Sequence, residues 1–398
     1  MPDSTRDGAP SSIAAVGLAL ACYGVAAERG FVSRDEAAAR TRTTLRFFRD
    51  SPQGPERDAT GHHGFFYHFL DMTSGRRAQR SELSTIDTTI LLTGALTARQ
   101  YFDGDAAVER DIRELADGLY RAADWRWVAN NGLCVTHGWK PECGFLSARW
   151  VGYNEALLLY VLALAAPDYG LTPASYGEWL TTYRWKRIYG YEYVYAGPLF
   201  IHQIPQLWID FRGMQDAFTR SRGIDYFENS RRATYVQREY AVRNPRGFAR
   251  YDHDTWGITA SSGPGPAVRT IAGRTRRFHD YVARGVPFGP DDGTLSPWGV
   301  IASLPFAPEI VLPTIRHLEI EFPELVDEYG FHCSFNPTFP LDGGSHHGWV
   351  SPGYFGIDQG PIVLMIENYC TGLVWRLMRN CEYIVAGLRQ AGFQGGWV

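Results

Sequence analysis

The sequence lacks the features that mark several common classes of protein. Its net charge is −4 and its arginines are scattered among acidic residues, so no basic patch for a phosphate backbone is expected. The apolar run 13–26 is too short to span a bilayer, and the residues before it lack the positive charge of a signal peptide. We therefore expect no nucleic acid and no membrane as partner, while the compartment and the oligomeric state stay open.

Motifs of several catalytic and metal-binding classes are also missing. The chain has no GxSxG, no HExxH, no P-loop and no GxGxxG followed by a helix. The six cysteines form no CxxC pair and are interpreted as buried thiols, and the spacing of Cys134, His137 and Cys143 fits no standard zinc site. Paired histidines at 62–63 and 346–347 fit polar loops better than a metal site. We predict neither a metal nor a cofactor.

Aromatic residues, in contrast, are abundant, at 14% of the chain with 12 Trp and 22 Tyr. Leu and Ile suffice to fill a core, whereas many amphipathic rings favour a wall on which the flat C–H faces of a sugar can stack. The same rings could instead form the core of a large helical protein, so both interpretations stay open.

Helical periodicity dominates the chain, and no linker or composition break divides it. Some predicted helices are apolar nearly all round and must be enclosed, whereas others are amphipathic and can cover them. This alternation is typical of an all-α barrel of paired helices, built as one domain over residues 1–398. The predicted helices are 12–29, 34–49, 84–102, 106–122, 153–166, 173–184, 206–222, 230–241, 308–322, 361–379 and 381–391.

Four carboxylic acids share one sequence context: Asp87, Glu155, Asp210 and Asp358 each precede a predicted apolar helix. In a barrel of paired helices the inner helices run parallel, so these acids would meet at one end. Acids also favour helix N-termini for capping alone, which explains any one of them as well as a catalytic role does. Gly- and aromatic-rich loops beside the acids favour a site.

Two convergent carboxyl groups are what glycoside hydrolysis requires, with aromatic platforms and polar groups for the sugar hydroxyls. A purely structural role fits each candidate binding residue equally well. The candidates are Tyr67, His68, Trp139, Tyr195, His202, Gln203, Asp210, Arg212, Asn229, Arg231 and Trp256.

Several long motifs then resemble one known family. The chain is similar to the glucoamylase-like family, which includes the bacterial endo-β-1,2-glucanases of glycoside hydrolase family 144. The resemblance implies an (α/α)6 barrel and inverting hydrolysis of a glucan, above all a β-1,2-linked one. It is carried, in order along nearly the whole chain, by GHHGFFYHFLDMTSGRR, ELSTIDTTILLTGAL, GYNEALLLYVLAL, YAGPLFIHQIPQLWIDFRG, DYFENSRRATYVQREYAVRNP, WGITASSGPGP, SLPFAPEIVLPTIRH and GIDQGPIVLMIENY.

The resemblance also implies roles for three acids. Glu155 matches the general acid of the family, and Asp87 and Asp358 match acids that assist the base or bind the sugar. A helix N-terminus lowers a carboxyl pKa whereas a general acid needs it raised, so we expect Glu155 to be poorly solvated and near another acid. Exo-acting hydrolysis, glucosyl transfer and non-catalytic sugar binding on the same fold remain alternatives.

Two departures from the family pattern stand out. Asn154 replaces an Asp that many relatives carry beside the general acid, which removes one negative charge there. Relatives also carry a helix upstream of the segment PDST, so the usual first helix is expected to be missing or replaced.

Overall fold

The computed structural model describes residues 2–340 and 348–398, so the histidine pair 346–347 lies outside the described residues. The described part is mainly helical. Its helices are α1 (Ile13–Glu28), α2 (Arg34–Asp50), α3 (Thr85–Tyr101), α4 (Ala107–Ala122), α5 (Trp125–Ala129), α6 (Ala156–Ala165), α7 (Pro173–Thr181), α8 (Leu199–Gln203), α9 (Ala217–Arg222), α10 (Tyr226–Arg243), α11 (Pro297–Ile301), α12 (Pro308–Glu321), α13 (Gly356–Cys370), α14 (Leu373–Arg379) and α15 (Glu382–Gln390), with 3-10 turns at Ile204–Leu207 and Pro323–Leu325.

Short strands of two to five residues connect the helices. They are β1 (Ser11–Ser12), β2 (Gly61–His62), β3 (Phe65–Phe66), β4 (Phe69–Leu70), β5 (Leu83–Ser84), β6 (Gly138–Lys140), β7 (Gly144–Phe145), β8 (Trp185–Ile188), β9 (Tyr191–Val194), β10 (Met214–Gln215), β11 (Ala260–Ser261), β12 (Ala267–Ile271), β13 (Arg274–Phe278), β14 (Val282–Ala283), β15 (Val326–Asp327), β16 (Gly330–Phe331), β17 (Phe335–Asn336), β18 (Trp349–Val350) and β19 (Gln394–Gly395). They form antiparallel pairs, apart from the three-stranded sheet β5–β6–β7.

Local capping explains why several helices begin where the sequence predicts. The hydroxyl groups of Ser12, Ser33 and Ser84 accept hydrogen bonds from backbone N–H groups in the first turns of α1, α2 and α3. At the other end, Asn244 ends α10 in the left-handed conformation. Most predicted helices therefore agree with the structure within a few residues.

Two predicted helices are wrong. Residues 206–222 were expected to form one helix, but the chain leaves the 3-10 turn at Leu207, runs through β10 and becomes helical again only in α9. The expected helix 361–379 is two helices, because Gly372 adopts a φ of +69° that ends α13. Hydrophobic periodicity did not reveal either break, since apolar residues recur through 208–216 and the second break is only two residues long.

The apolar helices pack against one another and the amphipathic ones lie outside them. α1 contacts α3 and α13, α3 contacts α6, and α13 contacts α11, whereas α2 and α4 cover α1 and α3. Every residue of α6 is buried. On α13, however, Val363, Ile366 and Tyr369 are exposed, so this helix is not enclosed on every face as its composition predicts. In the described part of the chain no helix is both long and apolar enough to cross a membrane.

The contact between α1 and α3 depends on two glycines. A Cβ atom on Gly94 would lie 1.9 Å from the carbonyl oxygen of Gly17, and one on Gly17 would lie 2.4 Å from the carbonyl oxygen of Ile90. These neighbours are backbone atoms, which cannot rotate away. The two helices can therefore approach this closely only because both positions lack side chains.

We predict that Gly94→Ala lowers the free energy of unfolding by about 2 kcal/mol or more, because the added methyl group overlaps a helix backbone. Gly118→Ala in α4 is the matched control: no atom lies within 4 Å of its Cβ position, so the same change should raise stability by about 0.5 kcal/mol. Urea unfolding of both variants measures the difference. Equal stabilities of the two variants would contradict the close contact.

Candidate active site

Three of the four singled-out acids lie in the wall of one cavity of about 180 Å³. Asp87 comes from the first turn of α3, Glu155 directly precedes α6, and Asp358 comes from the first turn of α13. The other residues of the wall are His68, Ile86, Ile90, Phe200, Ile204, Ala260, Tyr281, Trp298 and Ile357. Acids that are far apart in the sequence thus share one hollow because the N-terminal ends of three apolar helices meet there.

Asp87 is buried and held by its neighbours. The Ser84 hydroxyl donates a 2.5 Å hydrogen bond to Oδ2 of Asp87 and accepts one of 3.2 Å from the Asp87 N–H. His68 Nε2 lies 3.7 Å from Oδ1 of the same carboxyl group, and His68 Nδ1 lies 2.9 Å from Oε1 of Glu82. The imidazole is therefore placed between two carboxylates.

The electrostatic effect of this arrangement is large. Burial lowers the pKa of His68, but the charges of Asp87, Glu82 and Asp3 outweigh it and raise the pKa to about 9. The hydrogen bond from His68 in turn lowers the pKa of Glu82 to about 2. At neutral pH His68 is therefore an imidazolium that lies between the carboxyl groups of Asp87 and Glu82.

Glu155 has the opposite environment. It occupies the N-cap position of α6 without capping a backbone N–H, and its side chain is partly buried beside apolar residues. Burial raises its pKa to about 7; its own backbone N–H opposes this shift and the charge of Asp87 adds to it. The increase in pKa caused by desolvation thus exceeds the decrease caused by the helix N-terminus, so Glu155 can carry a proton near neutral pH.

Asp358 is buried more deeply than Glu155. Burial raises its pKa to about 7, a hydrogen bond from the Cys333 thiol lowers it, and the charge of Asp3 raises it further. Asp3 is positioned through the backbone: its carbonyl accepts a 2.8 Å hydrogen bond from the N–H of Gly356, at the start of α13. The N-terminal segment thereby brings another carboxyl group close to the site.

The rest of the cavity wall is apolar and aromatic. Phe200, Tyr281 and Trp298 supply the rings, and none of them was among the predicted platforms. Tyr281 lies between β13 and β14 and Trp298 lies in α11. Both fall in the stretch 243–305, where the sequence predicts no helix, and the length of that stretch was the only signal that could have pointed to them. Asp3 and Glu82 were also missed, because nothing in their local sequence places them beside His68.

Most of the predicted binding residues are not in this wall; His68 alone of the eleven is. Five others are buried and lie among packed neighbours, so a sugar cannot reach them. His202 and Asn229 bond each other at 3.3 Å, with the pKa of His202 lowered to about 4 by burial. Gln203 donates to the carbonyl of Gly299, Trp256 donates to Thr314, and Tyr67 lies under Arg77.

Asp210 and Arg212 were placed wrongly. Asp210 does not begin a helix; it is buried and forms ion pairs with Arg212, at 2.7 Å, and with Arg379. Arg212 also stacks over the ring of Trp375, 4.8 Å from its centroid. Both residues hold the C-terminal helices to the core instead of binding a ligand.

The remaining three candidates lie elsewhere on the molecule. Arg231 pairs with Glu309 at 2.8 Å, which satisfies its charge. Trp139 lies in β6 beside β5 and contacts the rings of His62 and Trp127, whereas Tyr195 packs against Phe288. A larger cavity of about 400 Å³ lies between α1, α2 and the loop 70–75, but its only acid, Asp71, is bonded to Ser74.

Comparison with known proteins agrees with this architecture. A protein-family model described as "Putative glucoamylase" matches residues 147–382, which include Glu155 and Asp358. The chain belongs to this glucoamylase family. Glucoamylase-family proteins of known structure superpose along the whole chain: a "putative glucoamylase" from Bacteroides uniformis has 28% identity and a TM-score of 0.86, with 100% of this chain and 92% of that chain covered.

Two relatives of this glucoamylase-family chain have names that state an activity. An endo-β-1,2-glucanase from Chitinophaga pinensis, solved with sophorotriose and glucose, has 27% identity and a TM-score of 0.83, with 97% and 88% of the two chains covered. An exo β-1,2-glucooligosaccharide sophorohydrolase from Parabacteroides distasonis is 28% identical over 397 residues. That alignment covers 91% of this chain and 50% of the relative, so the chain spans about half of the length of this curated relative.

Because the pKa of Glu155 is raised in the folded state, we predict that this residue lowers the free energy of unfolding at high pH. A carboxyl group whose pKa rises from 4.5 to about 7 on folding favours the folded state below pH 4.5, and this contribution is lost as the pH rises through 7. Glu155→Gln, which cannot ionise, should therefore be more stable than the wild type by about 1–3 kcal/mol at pH 8.5 and equal to it at pH 4.

Urea unfolding at the two pH values measures this difference. Glu178→Gln is the matched control, because Glu178 is exposed on α7 and its replacement should change stability little at either pH. A Glu155→Gln variant that is no more stable than wild type at pH 8.5 would show that Glu155 is well solvated.

Proposed function

We propose that this chain is a glycoside hydrolase that cleaves β-1,2-glucan or β-1,2-gluco-oligosaccharides with inversion at the anomeric carbon. The observation that carries the proposal is the meeting of three carboxyl groups in one ring-lined cavity, with the pKa of Glu155 raised to about 7. Glycosidic bond cleavage needs one carboxyl group that is protonated at working pH and another that accepts a proton from water.

Glu155 is the general acid in this proposal. It donates a proton to the glycosidic oxygen as the bond to the anomeric carbon breaks, and a water molecule attacks that carbon from the opposite face. Asp87 and Asp358 are the candidates to accept the proton of this water or to hold the hydroxyl groups of the sugar in the catalytic subsite. Asp87 is held in position for either role by the hydroxyl group of Ser84, which donates a hydrogen bond to it, and by the imidazolium of His68 nearby.

The proposed fold is an (α/α)6 barrel that forms one catalytic domain over residues 1–398. Its inner ring would be α1, α3, α6, the segment 199–207, α11 and α13. Contacts of α1 with α3, of α3 with α6 and of α6 with the segment 199–207 support this proposal. So do the contacts of α13 with that segment, with α11 and with α1. An outer helix lies against each member, in order α2, α4, α7, α10, α12 and α14.

The substrate class is proposed from the two relatives with stated activities. The Chitinophaga protein is named for internal cleavage of β-1,2-glucan and the Parabacteroides protein for release of sophorose from the non-reducing end. Both names concern the same linkage, so β-1,2-glucan is the first substrate to test. They differ in where the chain is cut, so endo and exo action both remain candidates.

We predict that Glu155→Gln lowers kcat on β-1,2-glucan by about 10²–10⁴-fold, the range expected when a general acid is removed. The wild-type kcat/KM should fall as the pH rises through about 7, because Glu155 loses its proton there. Release of reducing sugar across pH 5–9 measures both effects. Glu178→Gln should behave as the wild type.

Turnover by Glu155→Gln at the wild-type rate would refute the assigned role. The wild type could instead bind sophoro-oligosaccharides but release no reducing sugar from β-1,2-glucan or from glucans of other linkages. That result would indicate a non-catalytic sugar-binding protein. Calorimetric binding alongside the rate assay separates these outcomes.

The position of cleavage is a separate prediction. The cavity that contains the acids is small, and its wall includes Phe200, Tyr281 and Trp298. Digestion of reduced sophoro-oligosaccharides should therefore give short products early, with no glycosyl transfer to longer chains. Chromatography of the first products distinguishes uniform release of one short unit, which indicates exo action, from a mixture of lengths, which indicates endo action.

A further inference from the structure

The hairpin β12–β13 brings several arginine side chains together, although the sequence predicts that the arginines are scattered. In its register Arg269 lies directly opposite Arg276, so their side chains share one face, and Arg274 follows on that face. Arg246 lies beneath this face, because Arg274 and Arg276 both donate to its backbone carbonyl. We call these four residues the arginine cluster. Like charges placed directly opposite each other in a β-ladder are destabilising, so this arrangement has a cost.

The charge of the arginine cluster is offset only in part within the described residues: the buried carboxyl group of Asp291 acts electrostatically on Arg246 and Arg276. The side chains of Arg246, Arg269, Arg274 and Arg276 bond to backbone carbonyls, and none forms an ion pair within 4 Å of an Asp or Glu in residues 2–340 and 348–398. The Nε of Arg276 is buried and has no acceptor in the described part of the chain. Most N–H groups of the cluster therefore have no hydrogen-bond partner among residues 2–340 and 348–398.

Some hydrogen bonds of the arginine cluster stabilise the fold. Arg276 donates to the carbonyl of Gly247 at 2.6 Å and stacks over Phe248, which fastens the hairpin to the turn after α10. A negative helix end attracts such cations. This does not explain Arg269. Among the described residues its side chain donates to the carbonyl of the adjacent Val268 and stacks on the ring of Phe339.

The hairpin is joined directly to the candidate active site. It emerges between β11 and β14, which pair with each other, and it is flanked by Ala260 and Tyr281, both in the wall of the cavity. At about 3.3 Å per residue, Arg276 lies no more than about 17 Å along the chain from Tyr281. A saccharide that leaves the cavity on the side of Tyr281 can thus come within reach of the guanidinium groups.

We propose that the arginine cluster binds an anionic group carried by the saccharide, so that the preferred substrate is a glucan with phosphate- or carboxylate-type substituents. The inference rests on the proposed function and deepens it. Guanidinium groups bind such oxyanions through paired, charge-assisted hydrogen bonds, and a bound anion would also relieve the repulsion between Arg269 and Arg276.

The test compares one substrate with and without its charge. A β-1,2-glucan preparation carrying succinyl half-esters is split, and one portion is de-esterified with mild alkali to give the matched neutral chain. The readout is the ratio of kcat/KM on the charged chain to that on the neutral chain, in 20 mM and 500 mM NaCl. We expect a ratio of at least about 10 for the wild type at low salt, decreasing at high salt.

The variants are Arg269→Gln combined with Arg274→Gln, and Arg389→Gln as control. Arg389 is exposed at the end of α15 and forms no ion pair among the described residues. Its replacement removes one positive charge outside the hairpin, half of the change made in the double variant. The ratio should decrease to about 1 in the double variant and remain at the wild-type value in the control. Because both substrates are measured for each variant, a general loss of activity cancels.

Other outcomes overturn the inference and leave the proposed function distinguishable. A wild-type ratio near 1 with good cleavage of the neutral chain refutes the anion site alone. If neither chain is cleaved, the proposed function is refuted. Calorimetry with the two chains then tests the anion site by itself: equal binding of both chains overturns it, and tighter binding of the charged chain supports it. Cosedimentation of the wild type with phosphatidylglycerol vesicles, lost in the double variant, together with a ratio near 1 would assign the cluster to a lipid surface instead.

Discussion

The site depends on keeping carboxyl groups in a place where water reaches them poorly. Ionised carboxylates lose favourable hydration on burial, so the protein must either supply a counter-charge or let the group keep its proton. Here it does both in one cavity. Asp87 has a hydroxyl donor and an imidazolium beside it. Glu155 and Asp358 have no cation beside them among the residues that the structure describes, and burial raises the pKa of each to about 7.

The backbone makes that arrangement possible. Carboxyl groups at the N-terminal ends of separate helices can share one hollow only if the helix axes approach closely, and the contact of Gly17 with Gly94 allows this for α1 and α3. α6 is enclosed throughout, which fixes the position of Glu155 at its start. The same small and apolar residues therefore determine both how the helices pack and where the carboxyl groups of the site lie.

The sequence was informative where the deciding interaction is local. Helix starts depend on a serine and the N–H groups of the next turn, so α1, α2 and α3 were predicted closely. The convergence of Asp87, Glu155 and Asp358 followed from the helical pattern and from the resemblance together. Most of the candidate binding residues lie outside the cavity wall. Whether His202 or Trp256 faces a cavity depends on packing between distant segments, and both find polar partners inside the protein.

Asp210 shows what distinguishes a structural acid from a candidate functional one. Its sequence context resembles that of Asp358, since each is an acid in a Gly- and aromatic-rich stretch before apolar residues. In the structure the carboxyl group of Asp210 forms ion pairs with Arg212 and Arg379, the second of which comes from a distant part of the chain. Asp358 and Glu155, in contrast, have no cation beside them in the described part of the chain, and burial raises the pKa of each to about 7. This difference in counter-charge, which no local motif records, distinguishes the structural acid from the two acids that can exchange a proton near neutral pH.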